Sequence, residues 1–501
     1  MSARQDALIP SPPSSASTDS SSAGEQPRPR RKRWAPKVKT GCITCRVRRV
    51  KCDETKPHCK RCMAYGYVCD GYVTPAPSAT LTTSASETNR HANRSAGVFD
   101  PLQAVLERRV APPEWDFMES CRFYVEAILP IRQRDLDYAQ HGPINLATRY
   151  RPAFLMAMTA QRIGLISNAI NTLPHPSHMT SIAPLWGKLH SYMVHSLQDI
   201  NSYLGGAAPY TKVLALLRIS DVLSVELTLL GTAWRAHSSG FLALLDTCNK
   251  SNIVLPPSPV LGTATQFQIV VAAVANTTSP ASDQILELDL YTPDELAKYY
   301  SVQIYGELPC PTELFLEMMR VTKLRRLART APSYQDTIAP ALADILTRIS
   351  AFDPETWDEP YGVPDQPEFG LMAAVFKCSV ELYANLSLPP PPSRSTPLIQ
   401  KSWAARRTAL REELIQLMRK SIAILQSKAA LSWPVAVAGV AVADGSDEDK
   451  ELVLSTFKAD DKGTADSFYV PLYYSEKLRS FWASGKIGWE DCWNVPFAPM
   501  A

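Results

Sequence analysis

The chain has 501 residues, room for two or three domains, and a formal charge of only +3. Its first 27 residues lack the basic-then-apolar pattern of an export signal. Its longest apolar run, 429–443, is interrupted by Ser432, Pro434 and Gly439 and falls short of the roughly 18–20 residues a bilayer crossing needs. The composition therefore argues against secretion and membrane insertion, and it predicts cysteines that stay reduced and are better suited to metal than to disulfides.

Residues 1–38 are Ser/Pro-rich and then basic, a composition that cannot bury a core, and they are expected to be disordered. From Arg28 to Cys62 fourteen Lys or Arg stand against Asp53 and Glu54, a local excess of +12 that leaves the rest of the chain at −9. A basic segment on a mildly acidic body is the electrostatic footprint of a nucleic-acid binder. Within it, Arg30, Arg31, Lys32 and Arg33, followed by Lys37 and Lys39, fit a nuclear import signal or an arm along DNA phosphates.

Residues 39–72 carry the most informative pattern, Cys42-x2-Cys45-x6-Cys52-x6-Cys59-x2-Cys62-x6-Cys69. One unit, C-x2-C-x6-C, is written twice with an offset of 17 residues, while the other five cysteines are scattered. Three arrangements compete. A single four-thiolate site at 42, 45, 59 and 62 leaves Cys52 and Cys69 unexplained at matched positions. A disulfide framework conflicts with a reducing compartment. Two Zn²⁺ ions, each wanting four ligands, can share six sulfurs if two of them bridge, and the repeat makes Cys42 and Cys59 the equivalent pair. Such a segment has almost no apolar core, so metal binding is expected to supply most of its folding free energy.

The run Gly41-Cys-Ile-Thr-Cys-Arg-Val-Arg-Arg-Val-Lys-Cys52, with Asp53, Lys56-Pro57 and the second half to Cys69, closely resembles the fungal Zn(II)2Cys6 binuclear-cluster transcription factors. The resemblance covers residues 41–70. It implies two zinc ions, two short helices related by a pseudo-twofold axis, and double-stranded DNA as partner, with a CGG-type triplet read in the major groove. It also implies a nuclear protein whose further partners are the transcription machinery or a co-regulator; without a coiled coil, a monomer on one triplet and a homodimer formed through the helical body both stay open. Carried over by position, Arg48 and Arg49 stand where the family reads bases, and guanidinium suits the O6 and N7 atoms of guanine. Lys51 is the family's usual lysine before the third cysteine, and Pro57 turns the chain between halves. Arg46, Lys56, Lys60 and Arg61 are expected at phosphates, which set affinity and not sequence preference.

Residues 73–112 begin with a Thr/Ser/Ala/Pro stretch without large apolar residues or heptads, and are read as a flexible linker. Residues 113–501 are read as a mainly α, all-helical domain. Helical spacing marks 114–129, 152–173, 182–204, 210–231, 234–249, 311–329, 336–351, 370–386 and 403–427. Segment 210–231 is apolar nearly all round, as a helix inside a bundle should be. The prolines 389–392 mark a loop, and 444–461 reads as an exposed acidic one. Trp234-Arg-Ala-His-Ser-Ser-Gly240, Trp433-Pro-Val-Ala-Val-Ala-Gly439 and Pro471-Leu-Tyr-Tyr474 resemble, in order, segments of a fungal-specific regulatory domain, with Ala436 where that family has an aromatic.

Enzyme signatures are not found in the sequence. It holds no GxGxxG, no G-x4-G-K-[ST], no H-E-x-x-H and no G-x-S-x-G. His175 and His178 sit in a Pro-containing turn and are expected to be solvated, and His237 reads as a packing residue beside Trp234.

Overall fold

The computed structural model describes residues 41–42, 45, 50–56, 59–64, 113–133, 151–170, 172–251, 258–303, 305–331, 333–357, 367–389, 396–425, 428–457 and 470–499. The chain divides into two compact units, one within 1–90 and one within 91–501. The N-terminal segment 1–38, with Arg30, Arg31, Lys32 and Arg33, and the linker 73–112 lie outside the described residues. In the first unit the described regular element is the short helix α1, Lys60–Ala64.

The second unit is helical, with no strand among its described residues. Its helices are α2 (Pro113–Phe123), α3 (Leu129–Arg132), α4 (Arg151–Ile170), α5 (Ala183–Gly205), α6 (Pro209–Thr228), α7 (Trp234–Lys250), α8 (Pro259–Thr277) and α9 (Pro293–Tyr300). There follow α10 (Thr312–Ala328), α11 (Ala339–Ala351), α12 (Pro367–Ser387), α13 (Thr396–Ile424), α14 (Ser432–Ala441), α15 (Asp447–Ser455), α16 (Val470–Ala483) and α17 (Trp489–Cys492). Antiparallel neighbours α4, α5, α6 and α7 pack in sequence, and α12 packs on α10, α13 and α14. One hydrophobic core runs through both groups, from Met156 to Ala498.

Local rules account for many of the boundaries. Proline opens α6, α8, α9 and α12, where its missing N–H costs nothing. Thr292 and Glu295 form a reciprocal capping box at α9. Two π-turns, Tyr124–Ile128 and Tyr334–Ile338, each end two residues before a proline, Pro130 and Pro340. Widening the preceding turn relieves the clash of a proline ring with the carbonyl four residues back.

The helices expected from spacing all appear, with shifts of a few residues, and the all-round apolar segment 210–231 is the buried helix α6. Six helices, α8, α9, α14, α15, α16 and α17, lie outside the expected segments. Helix α8 is apolar and neutral on every face, with Ile269 through Ala275 buried, so it has no polar side to reveal a period. Helix α14, inside the apolar run 429–443, is hidden for the same reason. Helices α8 and residues 368–387 of α12 are long and apolar enough to span a membrane, but both are mostly buried within the unit.

Helix α15 is a correction. Residues 447–455, expected within an exposed acidic loop, form α15. Ser446 caps it by accepting from the Asp449 amide, Asp447, Glu448 and Asp449 occupy the first turn, and Val453 and Leu454 are buried. Acidic residues at that end interact favourably with the helix dipole, so the charge that suggested a loop supports a helix.

Polar groups at the centre of the second unit converge on the carboxyl end of α8. The Arg325 side chain from α10 is buried there and donates to the carbonyls of Thr277 (2.9 Å) and Ser279 (3.2 Å), to the Tyr383 hydroxyl (2.9 Å) and to Glu490. Trp489 Nε1 donates to the same Thr277 carbonyl (2.8 Å) and Trp433 Nε1 to the Thr277 hydroxyl (2.9 Å). A helix C-terminus exposes unpaired carbonyls and partial negative charge. Here the Arg325 guanidinium and the Trp489 indole satisfy them, and Trp433 stacks parallel on Phe376 at 6.1 Å.

Candidate metal centre and nucleic-acid interface

The 17-residue repeat of the first unit is a repeat of geometry as well as of letters. In each half the second cysteine's amide donates to the first cysteine's sulfur: Cys45 N to Cys42 Sγ at 3.4 Å and Cys62 N to Cys59 Sγ at 3.2 Å. The Cys42 and Glu54 amides both donate to Cys52 Sγ, at 3.4 and 3.3 Å. Glu54 adopts a positive φ of 61°, a conformation uncommon outside glycine. Backbone N–H groups aimed at sulfur favour the thiolate, the form that binds a cation.

The sulfurs converge. Cys42 lies 3.6 Å from Cys59 and 3.8 Å from Cys62, and Cys45 lies 3.7 Å from each of the same two. Four sulfurs about 2.3 Å from a central zinc define a tetrahedron whose edges are about 3.8 Å. Cys52 joins the group, since the ligand atoms of Cys42, Cys45, Cys52 and Cys59 all lie within 4.8 Å of one another. Five sulfurs in one cluster exceed the needs of one tetrahedral ion, which disfavours the single-site alternative. Cys69 lies outside the described residues. Cys42, Cys45, Cys59 and Cys62 are fully buried, and burial pushes the Cys42, Cys45 and Cys59 thiols above their ordinary range. A buried thiolate cluster without a cation would be costly. The donor set fits zinc.

Asp53 ties the two halves together. Its carboxylate accepts from the amides of Thr55 (3.0 Å), Lys60 (3.1 Å) and Arg61 (2.6 Å), so it caps the amino end of α1. A hydrogen bond from the Thr55 side chain, with these amides, holds the carboxyl well below the usual carboxylate range. Sequence reading quoted Asp53 only as part of a resemblance. A cap normally adjoins its helix, and this one stands seven residues before Lys60, beyond the reach of the local rule.

Of the expected DNA contacts, Lys51, Lys56, Lys60 and Arg61 are described and all are exposed. Arg61 Nη1 donates to the Lys51 carbonyl at 3.1 Å, crossing from the second half of the repeat to the first. That contact braces the halves and was not anticipated. Arg46, Arg48, Arg49 and Pro57 lie outside the described residues.

The three segments singled out in the helical unit are structural. Trp234 is buried, and Arg235 lies over it and pairs with Asp283 at 2.8 Å. His237 is half-buried, and burial lowers its pKa. At Gly439 a Cβ would meet the Leu478 side chain at 2.6 Å, and Trp482 Nε1 donates to the Gly439 carbonyl at 2.8 Å. The Leu478 side chain from α16 fills the space that a larger residue at 439 of α14 would need. Tyr474, from the third segment, is buried against Phe457, Trp493 and Phe497. His178 is exposed, and the ring of His175 engages the Ser177 hydroxyl at 2.7 Å.

Comparison with known proteins places both units. Residues 40–78 match the fungal Zn(2)-Cys(6) binuclear cluster domain, and residues 190–467 match the fungal specific transcription factor domain. The chain is 24% identical over 482 residues to the phomenoic acid biosynthesis cluster-specific transcriptional regulator of Leptosphaeria maculans, covering 92% of this chain and 89% of that protein. Over 34 residues, 7% of this chain and 6% of the relative, it is 68% identical to the aspercryptin biosynthesis cluster-specific transcription regulator of Emericella nidulans. Over 60 residues, 12% of this chain and 11% of the relative, it is 45% identical to the transcriptional regulatory protein moc3 of Schizosaccharomyces pombe. No solved structure matches.

Proposed function

Since the chain belongs to the fungal specific transcription factor family and carries that family's two-zinc cluster, it is a zinc-dependent, DNA-binding regulator of transcription, and we propose that it reads a CGG-type triplet in the major groove. In this reading residues 39–72 form the DNA-binding domain, 73–112 a linker and 113–501 the regulatory domain. Cys42, Cys45, Cys52, Cys59, Cys62 and Cys69 hold two ions, with Cys42 and Cys59 shared. Zinc supplies the charge that keeps the thiolates ionised and the bonds that replace an apolar core.

The chain's own residues do the reading. Arg48 and Arg49 face base edges, Lys51 contacts the DNA beside them, and Arg46, Lys56, Lys60 and Arg61 meet phosphates. Asp53 and the Arg61–Lys51 contact fix α1 against the first half, so that the basic residues of both halves move as one body. The observation that carries the proposal is the matched amide-to-sulfur geometry of the two halves around a common sulfur cluster. Arg30, Arg31, Lys32 and Arg33 direct the chain to the nucleus. The helical domain receives a co-regulator or a second copy of the chain. Two relatives are named for biosynthetic gene clusters, which supports a similar set of targets here.

Selection of bound sequences from random duplexes by the zinc-loaded full chain tests the reading. Enrichment of CGG-type triplets is the expected outcome, and equal binding to CGG-containing and scrambled duplexes at moderate salt would overturn it.

A further inference from the structure

A cavity of about 120 Å³ opens to solvent between α8, α9, α10 and the short turn Leu286–Leu290 of the helical unit. Its walls are largely apolar. Ala273, Ile285, Leu288 and Leu296 are buried there, and Leu316 and Met319 of α10 are half-buried. The polar groups of the wall already have partners. The Asn276 amide donates to the Ile285 carbonyl (3.0 Å) and accepts from the Ile285 N–H (2.6 Å). Gln284 donates to the Thr322 carbonyl (3.2 Å) and accepts from Arg326 (2.9 Å). The Tyr291 hydroxyl donates to the Leu242 carbonyl (2.6 Å). With these groups engaged, what the interior offers a guest is apolar contact.

The mouth has the opposite character. Arg320, Lys323 and Arg326 follow one another at every third residue of α10, and among the described lining residues Asp289 is the one carboxylate. Arg326 and Lys323 both pair with it, Lys323 at 3.3 Å. Arg320 pairs with Glu317, which is shared in turn with Arg348 at 2.7 Å. Each carboxylate thus serves two cations, and four positive charges stand against two negative ones. A positive surplus beside a low-dielectric wall attracts anions more strongly than the same charges on an open surface.

We propose that this cavity binds a small organic acid, with a compact apolar body among Leu288, Leu296 and Met319 and its carboxylate against Lys323 and Arg320 at the mouth. An apolar cavity of about 150 Å³ admits benzene, so this one suits a body of about six carbon atoms, an aromatic ring or a branched aliphatic chain. Lys323 is exposed and carries its charge on a flexible stem, so it can turn toward the guest. Arg326 is held by Gln284 and Asp289 and frames the opening. Asn276 and Thr322, in the cavity wall, also touch the Arg325 network. Arg325 Nη1 lies 3.5 Å from the Asn276 carbonyl, and the Thr322 and Tyr383 hydroxyls are 2.9 Å apart. A ligand that binds only the folded unit stabilises it by mass action.

Isothermal titration of the zinc-loaded full chain, without DNA, with benzoate, phenylacetate and 4-methylpentanoate tests this independently of any DNA reading. At least one acid should bind with a Kd below about 1 mM and raise the melting temperature of the helical unit. The neutral amide of that acid, with the same shape and no charge, should bind at least about tenfold more weakly. Lys323→Gln should weaken the acid about tenfold and leave both the amide's affinity and the ligand-free melting temperature unchanged. Met319→Trp should fill the cavity and abolish binding of acid and amide alike. If Met319→Trp unfolds the chain, Lys323→Gln decides, since that side chain is exposed. Failure of all these acids to bind up to about 10 mM, equal affinity for acid and amide, or an acid affinity indifferent to Lys323→Gln would each overturn the inference.

Discussion

The two units hold themselves together by different physics. In the first, four cysteines are the buried apolar core, with Val50 and Cys52 against them, and the fold depends on what binds those sulfurs. In the second, a core running from Met156 to Ala498 surrounds the buried Arg325, whose hydrogen bonds link four helices, α8, α10, α12 and α17. A short segment cannot bury enough surface to offset its chain entropy, whereas a few hundred residues can. Sequence therefore specifies the small unit by ligand spacing and the large one by periodicity.

The contrast is broken most severely by removing zinc. Chelation, or Cys59→Ala, should unfold residues 39–72 while the melting of the helical unit stays in place. Structural zinc contributes on the order of 10–16 kcal/mol to small domains, and circular dichroism with elemental analysis would read the loss. Acid should act in the same direction. Burial raises the Cys42, Cys45 and Cys59 thiols, so protons compete with zinc more strongly as pH falls, and zinc affinity should fall with it.

Next in size is the converse lesion. Arg325→Ala removes the guanidinium from the Thr277 and Ser279 carbonyls, the Tyr383 hydroxyl and Glu490, and should cost about 3–5 kcal/mol in denaturant unfolding of the helical unit with zinc content unchanged. Smaller effects fall on DNA. Arg49→Ala should relax the triplet preference and cost about 1–3 kcal/mol in binding. Lys60→Ala should weaken all sequences alike and lower the salt slope by about one. Fluorescence anisotropy at several salt concentrations distinguishes them.

The smallest expected effect is at His237. Burial holds its pKa below the unfolded value, so the neutral imidazole contributes stability that is present above about pH 6.5 and is lost as pH falls through the folded value. His237→Gln should flatten that part of the stability curve between pH 7.5 and 5.5.

The sulfur cluster was legible because its ligands recur at fixed short spacing. Asp53 was not, because its cap acts across seven residues, and neither was the brace from Arg61 to Lys51. In the helical unit, amphipathic elements such as α5 and α7 show their period, while α8 and α14 have no polar face to show one. The acidic start of α15 carried two meanings, loop and helix cap, and only the burial of Val453 and Leu454 separates them. Arg325 could not be singled out, since its partners lie up to 165 residues away and an arginine in a helix is by itself unremarked.

The carboxyl end of α8 also has a history in time. Thr277 and the Trp489 indole that binds its carbonyl are 212 residues apart. At about 5–20 residues per second of synthesis, that carbonyl emerges roughly 10–40 s before its partner. The zinc-binding segment closes over fewer than thirty residues and has no such wait. A nascent chain thus acquires its ability to grip metal well before its helical half can close, and the ribosome carries, for that interval, a finished reading head on an unfinished body.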